Sequence, residues 1–280
     1  MLPPALSSLV EPFSFMCISL SYLPSTLLSL LAALDFRTLL SWPRLQAAWF
    51  GRFWARMGPE VRLNAEKNVV PLLQGHVRNG RILPQDSTDA AGPAVSGTVI
   101  EVGPGSGMWT SIFTPKYLPN VTKVFGVEPN PAQHRALAQQ VAAAGLDDGT
   151  YEIVPLGIED LATSGRVPKE SVDCIVTVMC LCSIPEPRHH ITQLYGYLKP
   201  GGRWYVYEHV KCYRSQGWGM RLYQAILDFF WPHIIGGCEM SRDTEKWLKE
   251  AGPWSEIDLC QLEGEPWYFT MPHTIGVLTK

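Results

Sequence analysis

The stretch Thr98-Val99-Ile100-Glu101-Val102-Gly103-Pro104-Gly105-Ser106-Gly107-Met108 decides the fold. Its opening residues form a β-rich, largely apolar run of the kind that makes a buried strand. A turn carrying three glycines in five positions follows at once. Glycine has no Cβ and accepts positive φ, so such a turn bends sharply and lets a ligand approach the backbone closely. Two ligand classes compete for it. The dinucleotide fingerprint G-x-G-x-x-G would place its last glycine at position 108, where Met108 stands. The spacing present is G-x-G-x-G with Glu101 ahead of it, so a nicotinamide-dependent dehydrogenase lacks its third glycine. A tight turn without a ligand is the plain structural alternative.

Outward from this turn, β-rich runs alternate with helical stretches. Strands are predicted near 98–102, 123–127, 151–154, 172–178 and 203–207, with helices over 131–144 and 187–198. That alternation is the pattern of a doubly wound α/β sheet with parallel strands. Glu128 ends the second run, Lys123 to Val127, just before the turn Pro129-Asn130-Pro131. A carboxylate at the tip of a second strand offers paired acceptors for two ribose hydroxyls. An isolated glutamate is more often a solvated charge, but this one follows a buried-type strand.

The acidic residue followed by G-x-G-x-G resembles motif I of the class I S-adenosylmethionine-dependent methyltransferases. The later landmarks follow in the family's order: Leu156-Gly157-Ile158-Glu159-Asp160-Leu161, Ser171-Val172-Asp173-Cys174-Ile175-Val176 and Leu198-Lys199-Pro200-Gly201-Gly202. The set spans residues 98 to 208. The resemblance implies a Rossmann-like seven-stranded sheet ending in an antiparallel edge hairpin near 257–262 and 274–278. It also implies S-adenosylmethionine as cofactor, held by Glu101, Gly103, Gly105, Gly107, Glu128, Ile158, Glu159 and Met179. Many relatives read G-D-A-E after the third strand, and this chain has Gly157 where that Asp falls. The adenine contact is therefore carried to Ile158 and Glu159, the latter equally readable as a surface charge or a helix N-terminal residue.

Narrower phrases, Val178-Met179-Cys180-Leu181-Cys182-Ser183-Ile184, Tyr207-Glu208-His209-Val210 and Gly236-Gly237-Cys238, resemble the membrane-anchored alkyl-thiol methyltransferases of the endoplasmic reticulum and lipid droplets. Fungal small-molecule methyltransferases fit almost as well, so an oxygen or nitrogen acceptor stays open beside a thiol. The insert 211–241 carries Trp218, Met220, Leu222, Tyr223, Ile226, Leu227, Phe229, Phe230 and Trp231. A stripe at helical spacing is usually core, but ligands in open α/β sheets bind beyond the carboxyl ends of the strands, where this stripe would line a hydrophobic acceptor cavity. His209 beside Glu208 is the one plausible base. The remaining histidines, 76, 134, 189, 190, 233 and 273, form no ligand constellation, and no metal is expected.

Composition excludes whole classes. With 280 residues, 46% hydrophobic and 18% charged, the chain is long enough and apolar enough for a full core. A net charge of −3 argues against nucleic acid as a partner. Seven scattered cysteines, none in a CxxC pair, read as reduced thiols in a cytosol-facing protein rather than a disulfide or zinc framework.

Between Glu11 and Asp35 there is no charged residue, which makes 12–34 a marginal membrane span, interrupted by Pro24 and diluted by hydroxyls. A signal peptide would need a basic leading region, which is missing. Leu45, Trp49 and Phe53 then form an apolar stripe opposite Arg44, Arg52 and Arg56, an interfacial pattern. From Asp35 to Arg81 eight basic residues stand against three acidic ones, favouring a cytosolic body. A helical layer packed on the domain and closing its site is the plainer reading of the same residues. The organisation expected is an anchor and amphipathic region over 1–83, a linker over 84–97 rich in turn formers, and a methyltransferase domain over 98–280. The function expected is methyl transfer to a small hydrophobic acceptor at a membrane surface, on the cytosolic face. A non-catalytic membrane-bound scaffold is the alternative of another class.

Overall fold

The computed structural model describes residues 3–84 and 92–280. The chain opens with helices α1 (Pro4–Ser21), α2 (Leu23–Ala32), α3 (Phe36–Leu39) and α4 (Trp42–Leu73), followed by a two-stranded hairpin, β1 (Val77–Arg78) and β2 (Arg81–Ile82). The body then runs β3 (Gly97–Val102), β4 (Val121–Val127), α5 (Pro131–Ala143), β5 (Tyr151–Val154), α6 (Ile158–Ser164), β6 (Val172–Val178), α7 (Pro187–Tyr195) and β7 (Leu198–His209). It closes with α8 (Gly217–Asp228), α9 (Trp231–Ile234), α10 (Thr244–Lys249), β8 (Glu256–Gln261) and β9 (His273–Thr279).

Seven strands form one sheet in the order β5-β4-β3-β6-β7-β9-β8. The first five are parallel, and β9 lies antiparallel to both β7 and β8. This is the α/β architecture the sequence predicts, including the reversed edge hairpin. Successive strands step outward on opposite sides of β3, so the order switches between β3 and β6, the place beyond whose carboxyl ends open α/β sheets bind ligands. One face of the sheet is covered by α5 and the second half of α4, which buries Ala65, Val69, Leu72 and Leu73 beside Val99 and Tyr205. The other face packs α6, α7 and α10 through Leu161, Ile191, Leu194 and Leu248. Gly126 belongs to this construction through its lack of a side chain: a Cβ there would collide with the Tyr151 hydroxyl.

Several expectations change. The boundary at residue 83 does not divide the core, because α4 packs in the same cluster as β3 and β7; within the expected linker, 85–91 lie outside the described residues. The 12–34 segment is two helices, with Tyr22 ending α1 and Pro24 sitting in the first turn of α2. The stripe expected to face a membrane turns inward, for Trp49 and Phe53 are buried. Trp49 donates its indole N–H to the Ser19 carbonyl at 2.7 Å, and Phe15 stacks on Trp231 at 5.8 Å. Two of the basic residues counted toward a positive face are engaged elsewhere: Arg78 pairs with Glu256 at 2.9 Å and Arg81 with Glu263 at 2.6 Å. Those pairs tie the small hairpin to the edge of the sheet. The apolar stripe of the insert is also divided, with Leu227 and Trp231 buried while Trp218, Leu222, Ile226, Phe229 and Phe230 face outward.

Candidate active site

The glycine turn sits at the carboxyl end of β3, and its three glycines all take left-handed backbone: φ is +63° at Gly103, +58° at Gly105 and +86° at Gly107. A side chain at Gly103 would meet Cβ of Cys180 at 2.9 Å, and one at Gly107 would meet Cβ of Gln140 at 2.8 Å. At Gly105 the nearest atoms are those of the Trp54 indole at 3.8 Å. Helix α4 therefore crosses the turn. Further along the same helix, Arg62 hydrogen-bonds the Met108 carbonyl at 2.5 Å and Ser111 Oγ at 2.9 Å.

Glu128 stands at the end of β4, buried, with one carboxylate oxygen accepting the Gly105 N–H at 2.8 Å and the other the Asn130 N–H at 2.8 Å. Burial raises its pKa, while these two backbone donors work against the rise. Glu101 lies under the turn and accepts the Tyr151 hydroxyl at 2.5 Å. Burial pushes Glu101 up to about 7, opposed by that hydrogen bond and reinforced by the charge of Glu128. Ile158 is buried at the start of α6. Glu159 is exposed in the first turn of that helix, its carboxylate folded back toward Gly157, where negative charge favours the helix N-terminus. Met179 follows β6 with φ +50°, its N–H bonded to the Tyr207 carbonyl at 2.8 Å.

Across the switch point the acceptor end is assembled from separate segments. Glu208 is fully buried near the end of β7 and accepts the N–H of Cys180 at 3.2 Å and of Leu181 at 3.1 Å. Burial is the main reason its pKa rises to about 8. It thus braces the loop after β6 rather than facing the reaction space. His209 is buried, with Nε2 lying 3.2 Å from Sγ of Cys238 and Nδ1 without a hydrogen-bond partner among the described residues. Burial opposes its charged form, but neighbouring Cys182 and Glu208 carry the net shift upward.

Cys182, His209 and Cys238 have their ligating atoms all within 4.8 Å of one another. This juxtaposition is not visible in the sequence, where the residues stand in three separate phrases. Around them an apolar cluster gathers Met16, Phe53, Leu227, Trp231, Ile235 and Met240, so the first helices and the insert jointly enclose this end. Two open surface clefts, one beside Arg81 and Gln261 and one beside Arg188 and Trp247, contain none of these residues.

A parallel sheet with a reversed edge, a glycine turn after the first body strand and a carboxylate after the second define a class I S-adenosylmethionine-dependent methyltransferase. Residues 76–252 match the family model described as Methyltransferase domain. The chain is 32% identical over 198 residues to thiol S-methyltransferase TMT1B of Rattus norvegicus, covering 69% of this chain and 74% of that protein. It is 28% identical over 191 residues to thiol S-methyltransferase TMT1A of Homo sapiens, covering 68% and 73%. The crystal structure of the [4+2]-cyclase SpnF superposes with a TM-score of 0.50 at 15% identity, over 81% of this chain and 82% of that one, which speaks to the fold alone. The chain belongs to the methyltransferase-domain family that includes these thiol S-methyltransferases. It is an S-adenosylmethionine-dependent methyltransferase, and the dehydrogenase and scaffold alternatives fall.

Proposed function

We propose that the enzyme transfers the methyl group of S-adenosylmethionine to the sulfur of a small hydrophobic thiol at a membrane surface. In this reading Gly103, Gly105 and Gly107 take the amino-acid portion of the cofactor, and Glu128 accepts the ribose hydroxyls. Ile158 and Glu159 flank the adenine, Met179 closes on the sulfonium side, and Glu101 supports the turn from below through Tyr151. The acceptor's sulfur lone pair attacks the methyl carbon in line and S-adenosylhomocysteine leaves. The donor is already activated, so the protein's task is to hold sulfur and methyl about 3 to 3.5 Å apart and exclude water.

The observation that carries the thiol reading is the chemistry of the acceptor end: one buried imidazole, His209, inside an apolar enclosure. An alcohol would need strong proton removal. A thiol, with a pKa near about 8.5, is already a few per cent thiolate at neutral pH and needs far less help. The names of the relatives support the same acceptor.

The membrane part rests on Pro4–Ala32, apolar and long enough to cross a bilayer, and mostly unburied. Leu6, Val10, Phe13, Leu28 and Leu31 point outward, while Ser19 Oγ donates to the Ile234 carbonyl at 2.8 Å on the opposite side. One face on the protein and one apolar face outward favours helices lying in the interface over a span, with the body on the cytosolic side and the endoplasmic reticulum as the membrane proposed. The test offers labelled S-adenosylmethionine with matched hydrophobic thiols, phenols and amines to the full chain, with and without liposomes. Labelled thioether and liposome co-sedimentation are expected. Label in phenols or amines alone would assign the enzyme to O- or N-methylation, and a full chain that ignores liposomes would remove the membrane.

A further inference from the structure

Two thiols and an imidazole converge at the acceptor end, the thiols held only by long contacts: Cys182 Sγ lies 3.4 Å from Ser183 Oγ and 3.9 Å from the Met179 carbonyl. Thiols are weak hydrogen-bond donors and acceptors, yet Sγ of Cys182 and Cys238 lie buried beside the His209 ring, Cys238 against Nε2. Each donor is carried by a braced backbone. Cys182 sits in the loop that Glu208 holds from below, and its carbonyl accepts the Glu239 N–H at 3.0 Å. His209 is the last residue of β7. Cys238 follows two glycines with φ +56° and +79°, a bend that turns its side chain inward. Arg242 clamps the two loops together, its guanidinium donating to the Leu181 and Ile184 carbonyls, both at 2.7 Å. The Trp231 indole N–H points at Sγ of Cys238 from 3.3 Å, as a donor supporting a thiolate would. Nδ1 of His209 is buried without a partner among the described residues, so a metal on Nε2 would leave the ring's other N–H unpaired.

We infer that Cys182, His209 and Cys238 form a three-donor site for a soft divalent cation of the zinc class, whose fourth position faces the acceptor thiol. Zinc stands about 2.3 Å from thiolate sulfur and about 2.0 Å from imidazole nitrogen, and its catalytic sites keep three protein ligands and one open position. Tetrahedral placement separates such ligand atoms by roughly 3.5 to 3.8 Å, so the 3.2 Å between Nε2 and Cys238 Sγ has to open by only a few tenths of an ångström.

The inference rests on the thiol reading and deepens it by replacing a proton acceptor with a Lewis acid. The acceptor's S–H bond breaks, a sulfur–metal bond forms and the proton passes to solvent. The bound thiolate then takes the methyl group, S-adenosylhomocysteine leaves with the electron pair of the broken S–C bond, and the thioether, a poor ligand, departs. A thiol bound to a metal is deprotonated outright.

Cobalt(II) is the probe, added to the full chain in detergent after treatment with reductant and chelator. One equivalent should bind with thiolate-to-cobalt charge-transfer absorption. Cys182→Ser, Cys238→Ser and His209→Ala should each weaken binding by more than the roughly 10- to 100-fold that removing an outer-shell partner brings. Cys260→Ser, at the far edge strand, should leave it unchanged. Mapping alkylated cysteines by mass in the wild-type chain needs no variant: cobalt should protect Cys182 and Cys238 and spare the reactivity of Cys17.

The metal site is overturned if no charge-transfer band forms, if the band survives both serine variants, or if Cys182 and Cys238 prove to be joined as a disulfide in the active enzyme. It is overturned too if chelated, metal-free enzyme methylates thiols at the full rate, in which case the thiol reading stands on His209 alone. Cobalt bound at these residues, with a spectrum indifferent to hydrophobic thiols and label appearing only in oxygen or nitrogen acceptors, would overturn the thiol role.

Discussion

The two halves of the candidate site are built differently. The cofactor half is local in the chain: the turn 103–107 follows its strand directly, Glu128 ends the neighbouring strand, and one 2.8 Å hydrogen bond from Gly105 to Glu128 joins them. The acceptor half is drawn from the loop after β6, the end of β7, the insert and the first helices, which meet only when the sheet and its cover are complete. Local motifs hold what every donor-binding relative needs. Assembled clusters can vary piece by piece, so the acceptor's identity resides there. Gly103 is the seam, since a side chain on this cofactor-turn residue would strike Cys180 of the acceptor loop.

The sharpest separation of the halves comes from His209→Ala. Turnover of a hydrophobic thiol at neutral pH should fall by no more than about 10², the low end of what a positioned proton acceptor contributes, because a few per cent of the thiol is ionised without it, while calorimetry finds S-adenosylhomocysteine affinity within about twofold. A parallel loss of cofactor affinity would mean the halves are not independent.

A pH effect belongs to the cofactor half. Glu101 has its folded pKa raised from 4.5 to about 7. Its contribution to stability is therefore fully present below about pH 4.5 and is lost as pH rises through about 7, by on the order of 3 kcal/mol at most. Glu101→Gln should flatten the pH dependence of the urea midpoint across that window. An unchanged profile would show that folding does not raise the pKa of Glu101.

Glu128→Ala removes a charged acceptor from two backbone donors and from the proposed ribose contact. Hydrogen bonds to charged groups are worth about 1.5 to 3 kcal/mol, so cofactor affinity should drop by roughly 10- to 100-fold on calorimetry. Unchanged affinity would end the cofactor assignment of this carboxylate. The smallest effect expected is that of Trp54→Ala, which uncovers Gly105 without touching its backbone. A several-fold weaker S-adenosylhomocysteine affinity should come mainly from faster release in stopped-flow displacement.

Legibility followed the same division. The sheet and its cofactor half could be read because buried strands, glycine turns and strand-end carboxylates are written within short windows. The reversed hairpin came through the family resemblance rather than through periodicity. Asn79-Gly80, the tip of the β1–β2 hairpin with both φ values positive, carries a turn signal, but its flanking strands are two residues each and too short to show alternation. Trp49 and Phe53 misled for a physical reason: an apolar stripe reports that something covers it, and protein and lipid produce the same spacing. The meeting of Cys182 and Cys238 with His209 had no sequence signal at all. Each lies in a family-like phrase, but only the switch in strand order and the return of the insert bring those phrases together.

The central claim is that sulfur, and not oxygen or nitrogen, receives the methyl group. It is tested most directly with a small apolar acceptor that carries both a thiol and a hydroxyl, offered with labelled S-adenosylmethionine from neutral pH to about 8.5, the thiol's own range. Mass spectrometry of the product should find the label on sulfur at every pH, with a rate that rises as the thiolate fraction grows. Label on oxygen, with the thiol recovered unmodified across the whole range, would contradict the account.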